Sequence, residues 1–307
     1  MDIFLQQLIN GLVQGSIYAL VALGYTMVYG IMGLINFAHG EVVMIGTLLA
    51  ISVAGGLLQA GWPVALAGPA GLAAAVLGCM ALGWGLERVA YRPLRNAPRL
   101  TPLITAIGMS IVLQNLAMMV WGRNYLGFPA LLPKAGFEFA GAHFTLVQVV
   151  IVVVSAATMA GLLALVYRTK LGMAMRATAQ NPAVAALMGV DVDRVIAAAF
   201  VIGSALGALA GVMVGSYYEI AHYQMGFMLG LKAFTAAVLG GIGNLGGAMA
   251  GGVLLGIIEA LGAGYIGDLT GGFLGSHYQD IFAFVVLIGV LMFKPSGLFG
   301  EKTGDRA

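Results

Sequence analysis

One apolar run after another, each long enough or nearly long enough to cross hydrocarbon, leaves this chain very few folds. The runs fall at residues 5–29, 40–54, 64–86, 102–122, 145–167, 194–217, 229–242, 246–263 and 281–293. Crossing roughly 30 Å of hydrocarbon takes about 20 helical residues. Lipid offers nothing to hydrogen-bond an open backbone, so only helices or closed barrels can span it. The runs are continuous rather than alternating at every second residue, which excludes barrel strands. Only 8% of the 307 residues are charged and 61% are hydrophobic, with a mean hydropathy of +0.99, whereas soluble domains carry about 25% charged residues. The expected fold class is therefore all-α. It is a single polytopic transmembrane helix bundle over residues 1–307, with about 8–10 membrane segments. The runs at 40–54 and 229–242 are short and border glycine-broken polar stretches, so half-helices or re-entrant segments are expected there.

The placement of basic residues sets an expected topology, because Lys and Arg in short loops stay cytoplasmic. Arg88, Arg92, Arg95 and Arg99 form one cluster, and Arg168, Lys170, Arg176 and Arg194 a second. Lys294, Lys302 and Arg306 make a basic tail, which leaves only Arg123, Lys134 and Lys232 of the fourteen Lys and Arg elsewhere. Segments 88–101, 168–193 and 294–307 are expected inside and 123–144 outside. The N-terminus then falls on the periplasmic side, provided 40–54 crosses. The first run lacks a basic leader and a small-residue cleavage site, so it is expected to remain as a span. The net charge of +2 carries no nucleic-acid surface. Cys79, the one cysteine, lies in an apolar run and is expected as a packed thiol. His39, His143, His222 and His277 are too scattered for a helical zinc site, so no metal is expected.

The 47 glycines are patterned. Gly203, Gly207, Gly211 and Gly215 recur every fourth residue on one helical face, and Gly243, Gly247 and Gly251, and Gly11 with Gly15, repeat the spacing. Such rows let backbones approach where lipid removes the hydrophobic drive for association. Intrachain packing and contact with another subunit are both compatible with them.

Two breaks lie at membrane depth. Residues 30–40 interrupt an apolar region with Asn36, Phe37 and His39, followed by Glu41, and residues 240–247 surround Asn244. Irregular backbone at that depth must be buried or line a cavity. Paired glycine-broken segments also point to binding or gating regions in transporters, which makes Asn36, Phe37, His39, Glu41 and Asn244 translocation-pathway candidates. The competing reading is a short cytoplasmic turn in which Asn36 caps the following helix. Glu219, His222 and Lys232 bracket the expected outer end of a span, where a solvated interface is favoured over a proton relay. Glu259 and Asp268 are further ionisable residues near spans.

Residues 168–194 are longer than a turn requires, and a short helix is expected within them. Asn181 caps it, Pro182 suits its first turn, Val184, Leu187 and Met188 cluster, and Gly189 ends it in the left-handed region. Together with Arg176, this helix is either a docking element for a soluble motor or a connector lying on headgroups. The chain has no G-x-x-x-x-G-K-[ST] loop, no G-x-S-x-G elbow and no H-E-x-x-H pair. It is not expected to be an enzyme, and energy must come from a partner or a gradient.

Three segments carry a family resemblance: residues 35–46 (INFAHGEVVMIG), 232–252 (KAFTAAVLGGIGNLGGAMAGG) and 291–300 (LMFKPSGLFG). With them the whole chain resembles the H-type (LivH-like) permeases of high-affinity branched-chain amino-acid ABC importers. The resemblance implies a bacterial inner-membrane permease that works with a second homologous permease, two cytoplasmic ABC ATPases and a periplasmic amino-acid-binding protein. ATP-Mg would then sit on the partners, with no cofactor on this chain. It also implies that residues 176–189 dock on an ATPase and that the surroundings of Asn36 and Asn244 lie near the route. A permease for urea, amides or other amino acids, and an ion-coupled secondary transporter, are the alternative readings.

Overall fold

The computed structural model describes residues 2–95, 97–98, 100–133, 135–139, 141–270 and 279–300. Arg99, His277, Lys302 and Arg306 lie outside the described residues. The apolar runs become α1 (Asp2–Met32), α2 (His39–Gln59), α3 (Val64–Leu86), α4 (Leu100–Trp121), α5 (Leu146–Arg168), α8 (Val192–Tyr218), α9 (Met225–Gly240), α10 (Leu245–Leu269) and α11 (Gln279–Phe293). Two shorter helices, α6 (Lys170–Gln180) and α7 (Pro182–Leu187), lie between α5 and α8. Two small antiparallel pairs complete the described fold. They join β1 (Leu126–Gly127) to β4 (Ile220–Ala221), and β2 (Gly136–Phe139) to β3 (Ala142–Thr145). Seven of the helices are long and apolar enough to cross a membrane, while α9 and α11 are shorter.

One expectation needs correction. The run at 40–54 is not a half-helix: α2 has 21 residues and continues through Gly55 and Gly56 to Gln59. Neither glycine faces a neighbour within 4 Å, so the helix passes through them along an open edge of the bundle. By contrast, α9 does stay short at 16 residues.

The central helix is α1. Residues Ile17, Tyr18, Ala19, Leu20, Val21, Ala22 and Leu23 are all buried in succession, so every side of the helix meets protein. The elements α3, α4 and α5 instead leave most of their apolar surface outward, as a lipid-facing rim requires. Glycine decides how closely the central helices meet. A Cβ on Gly15 would lie 2.7 Å from Val253 Cα, and one on Gly11 2.7 Å from Ile257 Cα, so α1 and α10 touch backbone to backbone. Gly203, Gly207, Gly211 and Gly215 point from α8 at Gly24, His39, Val43, Thr47 and Phe128. That row therefore packs within the chain, against α1, α2 and the β1 segment.

A polar stripe fixes the rotation of α1. Gln6, Asn10 and Gln14 recur at four-residue spacing. Gln6 Nε2 donates to the His143 carbonyl at 2.9 Å and to Asn10 Oδ1 at 3.2 Å, and Gln14 Nε2 donates to the Tyr218 hydroxyl at 3.2 Å. At the start of α5, Thr145 and Gln148 satisfy each other's backbone N–H in a reciprocal cap.

Close packing makes a direct test possible. Gly15→Leu should destabilise the purified protein by about 1–3 kcal/mol or more, as overpacking does. Gly108→Ala and Gly161→Ala, with nothing within 4 Å, should be neutral or gain up to about 1 kcal/mol. Detergent thermal melts followed by size-exclusion chromatography would separate the two outcomes.

Candidate functional site

The two glycine breaks come together at one end of the bundle. Past Met32, Gly33 takes φ +65°, and the chain re-enters the fold as α2 at His39. Between α9 and α10, Gly241 and Gly243 take φ +105° and +97°, conformations that glycine reaches without strain. A Cβ on Gly30 would meet the Gly243 carbonyl at 3.6 Å, so the end of α1 adjoins the α9–α10 turn. Residues 297–299 close this turn from the other side. Leu298 N donates to the Leu239 carbonyl at 2.8 Å and Phe299 N to the Gly240 carbonyl at 2.9 Å. Carbonyls at the end of α9 that no helical partner reaches are thereby satisfied.

The described residues of the three basic segments lie toward this same end. Beyond α3, the π-type turn Glu87–Tyr91 and the single 3₁₀ turn Arg92–Leu94 carry a fully buried Glu87, which Arg92 Nη2 pairs at 3.0 Å and Arg95 also pairs. Arg95 reaches on to Asp193 at the start of α8. The loop after α3 is thus tied to the α6–α8 region.

The pathway candidates separate in the structure. Asn36 is buried; its Oδ1 accepts the Ala38 N–H at 3.1 Å and the Tyr91 hydroxyl at 2.7 Å. It closes the turn ahead of α2 rather than capping the helix, whose N-cap Ala38 has no side-chain cap, and it does so inside protein, so neither part of the exposed capped-turn reading describes it. His39 is 1% exposed, with its ring 4.9 Å from that of Tyr25, and it fills space left by Gly24 and Gly207. Phe37 lines a cleft of about 660 Å³ between α4 and α9, together with Tyr25, Ser110, Gln114, Phe227 and Met228. Glu41, fully buried, stands behind that cleft. Its Oε1 accepts from Ser110 Oγ at 3.0 Å and from Gln114 Nε2 at 2.7 Å. Glycine at 226 makes room for the carboxylate, since a Cβ there would lie 2.6 Å from Glu41 Oε2. Asn244 accepts the Gly247 N–H at 3.0 Å as the cap of α10 and donates to the Phe299 carbonyl at 3.1 Å.

A second polar cluster was not legible as such. Lys232 does not lie at a solvated outer end. Its ammonium sits mid-way along α9, 3.2 Å from Glu259 Oε2 on α10 and 3.4 Å from the Tyr18 hydroxyl on α1, which itself donates to Glu259 at 2.8 Å. Glu259 is 1% exposed. Apolar neighbours cannot solvate either charge, so each holds the other in the bundle, and deleting one partner of such a pair costs about 3–5 kcal/mol. A charge within an apolar run was the available signal; the partner, 27 residues along the chain, was not. Glu219 and His222 do lie toward the surface. Glu219 takes φ 57° where α8 ends, and His222 Nε2 lies 3.0 Å from the Arg123 carbonyl.

The segment between α5 and α8 holds two helices rather than the one expected. Thr169 caps α6 by accepting the Gly172 N–H at 3.1 Å. Asn181 ends α6 and caps α7, accepting the Ala183 and Val184 N–H groups at 3.1 Å each. Pro182 opens α7, and Gly189 follows it at φ +87°. Val184, Leu187 and Met188 are exposed, the last two at 87% and 80%. The Arg176 guanidinium lies over the Tyr167 ring at 5.3 Å. Met175, Arg176 and Ala179 face Gly30, Ile31 and Gly243 across a small cleft of about 90 Å³, so α6 rests on the junction of both breaks. Among the described residues, no group of His, Cys, Asp and Glu could hold a metal.

Comparison with known proteins agrees over nearly the full length. A family model described as the permease component of branched-chain amino acid transport systems matches residues 7–291. The permease LivH of high-affinity branched-chain amino acid transport in Escherichia coli K12 is 46% identical over 311 residues, covering 99% of this chain and 97% of that protein. BraD of Pseudomonas aeruginosa, named for the same transport, is 48% identical over 309 residues, covering 99% and 98%. LivH of Salmonella typhimurium is 45% identical over 308 residues, covering 99% and 97%.

The Glu41 cluster yields a sharp contrast. Glu41→Leu leaves the Ser110 and Gln114 donors without their acceptor and should destabilise the fold by about 1–3 kcal/mol. Glu41→Gln keeps an acceptor oxygen and should melt close to the parent in the same detergent assay.

Proposed function

The chain belongs to the permease family of branched-chain amino acid transport systems, and from that premise we propose that it is the membrane subunit of an ATP-driven importer moving leucine, isoleucine and valine across the bacterial inner membrane. In this reading it pairs with a second, homologous permease, receives substrate from a periplasmic binding protein and is driven by two cytoplasmic ATPases that hold ATP-Mg. The basic end of the bundle faces the cytoplasm and the β1–β4 end faces the periplasm. The N-terminus is then periplasmic and the C-terminus cytoplasmic.

The observation that carries the reading is the exposed apolar trio Val184, Leu187 and Met188 on a capped helix outside the spans. Lone exposed apolar residues need no explanation, but three together on a short, rigidly capped element are suited to a protein partner. A push on α7 passes through Asn181 to α6, which leans on the end of α1 and on the α9–α10 turn. Gly241 and Gly243, both at positive φ, are the positions where that turn can change direction with little strain. The 660 Å³ cleft between α4 and α9, with Phe37 in its wall and Glu41 behind it, is the best-formed stretch of route beside the spans. Asn36 and His39 hold backbone and packing in register beside it, and Asn244 does so at the α9–α10 turn.

Leu187→Asp together with Met188→Asp should leave the permease folded and its melting unchanged. Co-purification of the ATPases and ATP-dependent leucine uptake in liposomes should both fall about tenfold or more, as loss of a central apolar anchor does. Uptake that persists at full rate with the doubly substituted chain would refute the docking role. Competition of labelled leucine by urea in the parental assembly would reassign the substrate class.

A further inference from the structure

The Lys232 cluster borders a cavity that the proposed route does not use. It has a volume of about 290 Å³ and lies between α1, α8 and α9, with Tyr125, Ile220 and His222 of the β1–β4 end at its mouth and Tyr18 and Lys232 at its depth. Gln14 and Tyr218 add polar groups to a wall otherwise formed by apolar residues such as Ile17, Val214, Met225, Met228 and Leu229. Met228 also lines the 660 Å³ cleft, so α9 separates the two spaces by the thickness of a side chain. A small pocket of mostly apolar wall with a few converging polar groups has the form of a small-molecule site.

We propose that this cavity is a subsite for an α-amino acid with an aliphatic side chain, in which the Lys232 ammonium receives the carboxylate. The inference rests on the importer reading above and adds to it the residue that touches substrate. The chemistry follows from what surrounds the amine. Glu259 and Tyr18 fix its position, so the charge is already oriented when a ligand arrives and no side-chain ordering is spent on binding. An ammonium carries three N–H donors, and a carboxylate at the cavity floor adds a charge-assisted bond in surroundings of low dielectric. The wall of Ile17, Val214 and Leu229 takes the branched side chain. The Tyr18 and Tyr218 hydroxyl oxygens already accept from Lys232 and Gln14, so the substrate ammonium would share these oxygens with the bonds they hold, through a second lone pair. Of the pair, Lys232 alone lines the cavity, while Glu259 holds it from behind.

Because Cys79 is the chain's one cysteine and is buried, Met225→Cys places a single accessible thiol in the cavity. In the assembled importer, labelling of that thiol by a small thiosulfonate reagent is followed by the mass of the permease chain. Leucine and 4-methylpentanoate, which keep the carboxylate, should slow labelling about tenfold when present at about ten times their Kd, as occupancy of the site requires. 3-Methylbutylamine, which lacks the carboxylate, should not. Protection should vanish when Lys232→Gln and Glu259→Gln are combined, a change that leaves no buried charge unpaired, and should survive Lys232→Arg. Equal protection by the amine, no protection by leucine, or wild-type leucine uptake by the Lys232→Gln, Glu259→Gln protein would overturn the proposal and leave the pair a packing element. Absence of ATP-dependent uptake in the parental assembly would instead count against the importer reading, because the labelling arms judge the cavity without transport.

Discussion

Backbone contact between α1 and α10 underlies the rest of the molecule. In lipid, apolar side chains gain nothing by leaving hydrocarbon for one another, so helices associate through close packing and interior polar bonds. Gly11 and Gly15 on one helix, with Gly252 and Gly256 on the other, remove the side chains that would hold the axes apart. Once α1 is clamped there, the Gln6, Asn10 and Gln14 stripe sets its rotation and Tyr18 is turned toward α9 and α10. The buried charges of Lys232 and Glu259 meet because that clamp brings their helices together. Both cavities flank the first half of α9, which forms a wall of each.

Polar groups at membrane depth divide into two kinds of work. Asn36 and Asn244 satisfy broken backbone, each accepting N–H groups that a continuous helix would have bonded to itself. Glu41 and Lys232 hold charge or hydrogen-bonding capacity next to open space. The first kind keeps the breaks stable enough to persist, and the second gives them something to act on. At the basic end, Glu87 gathers Arg92 and Arg95 and links the α3 loop to Asp193. The α3 loop and the start of α8, which directly follows the α6–α7 unit, are thereby held together.

Much of this was legible in the sequence because it is local. The ends of α1, α3, α5 and α8 follow from apolar length, and the cap at Asn181 follows from a side chain that reaches N–H groups two or three residues ahead, whereas the same role of Asn244 was not read from the sequence. The glycine row on α8 was legible as a packing face, and its partners on α1 and α2 were not. Gly55 and Gly56 read as the end of a helix, yet α2 runs past them, since tertiary context overrides a weak local preference. Helix α6 was missed because its polar composition resembles a connector, although Thr169 offered a cap. Neither the meeting of Lys232 with Glu259 nor that of Glu41 with Ser110 and Gln114 follows from spacing, because each pair joins separate helices.

The strap formed by Leu298 and Phe299 has a bearing on biogenesis. It supplies the bonds that the Leu239 and Gly240 carbonyls lack, and it is synthesised well after both α9 and α10. While the nascent chain is still threading through the insertion machinery, those two carbonyls must rely on water or headgroups. The α9–α10 turn thus reaches its final bonding only when residues 298 and 299 arrive.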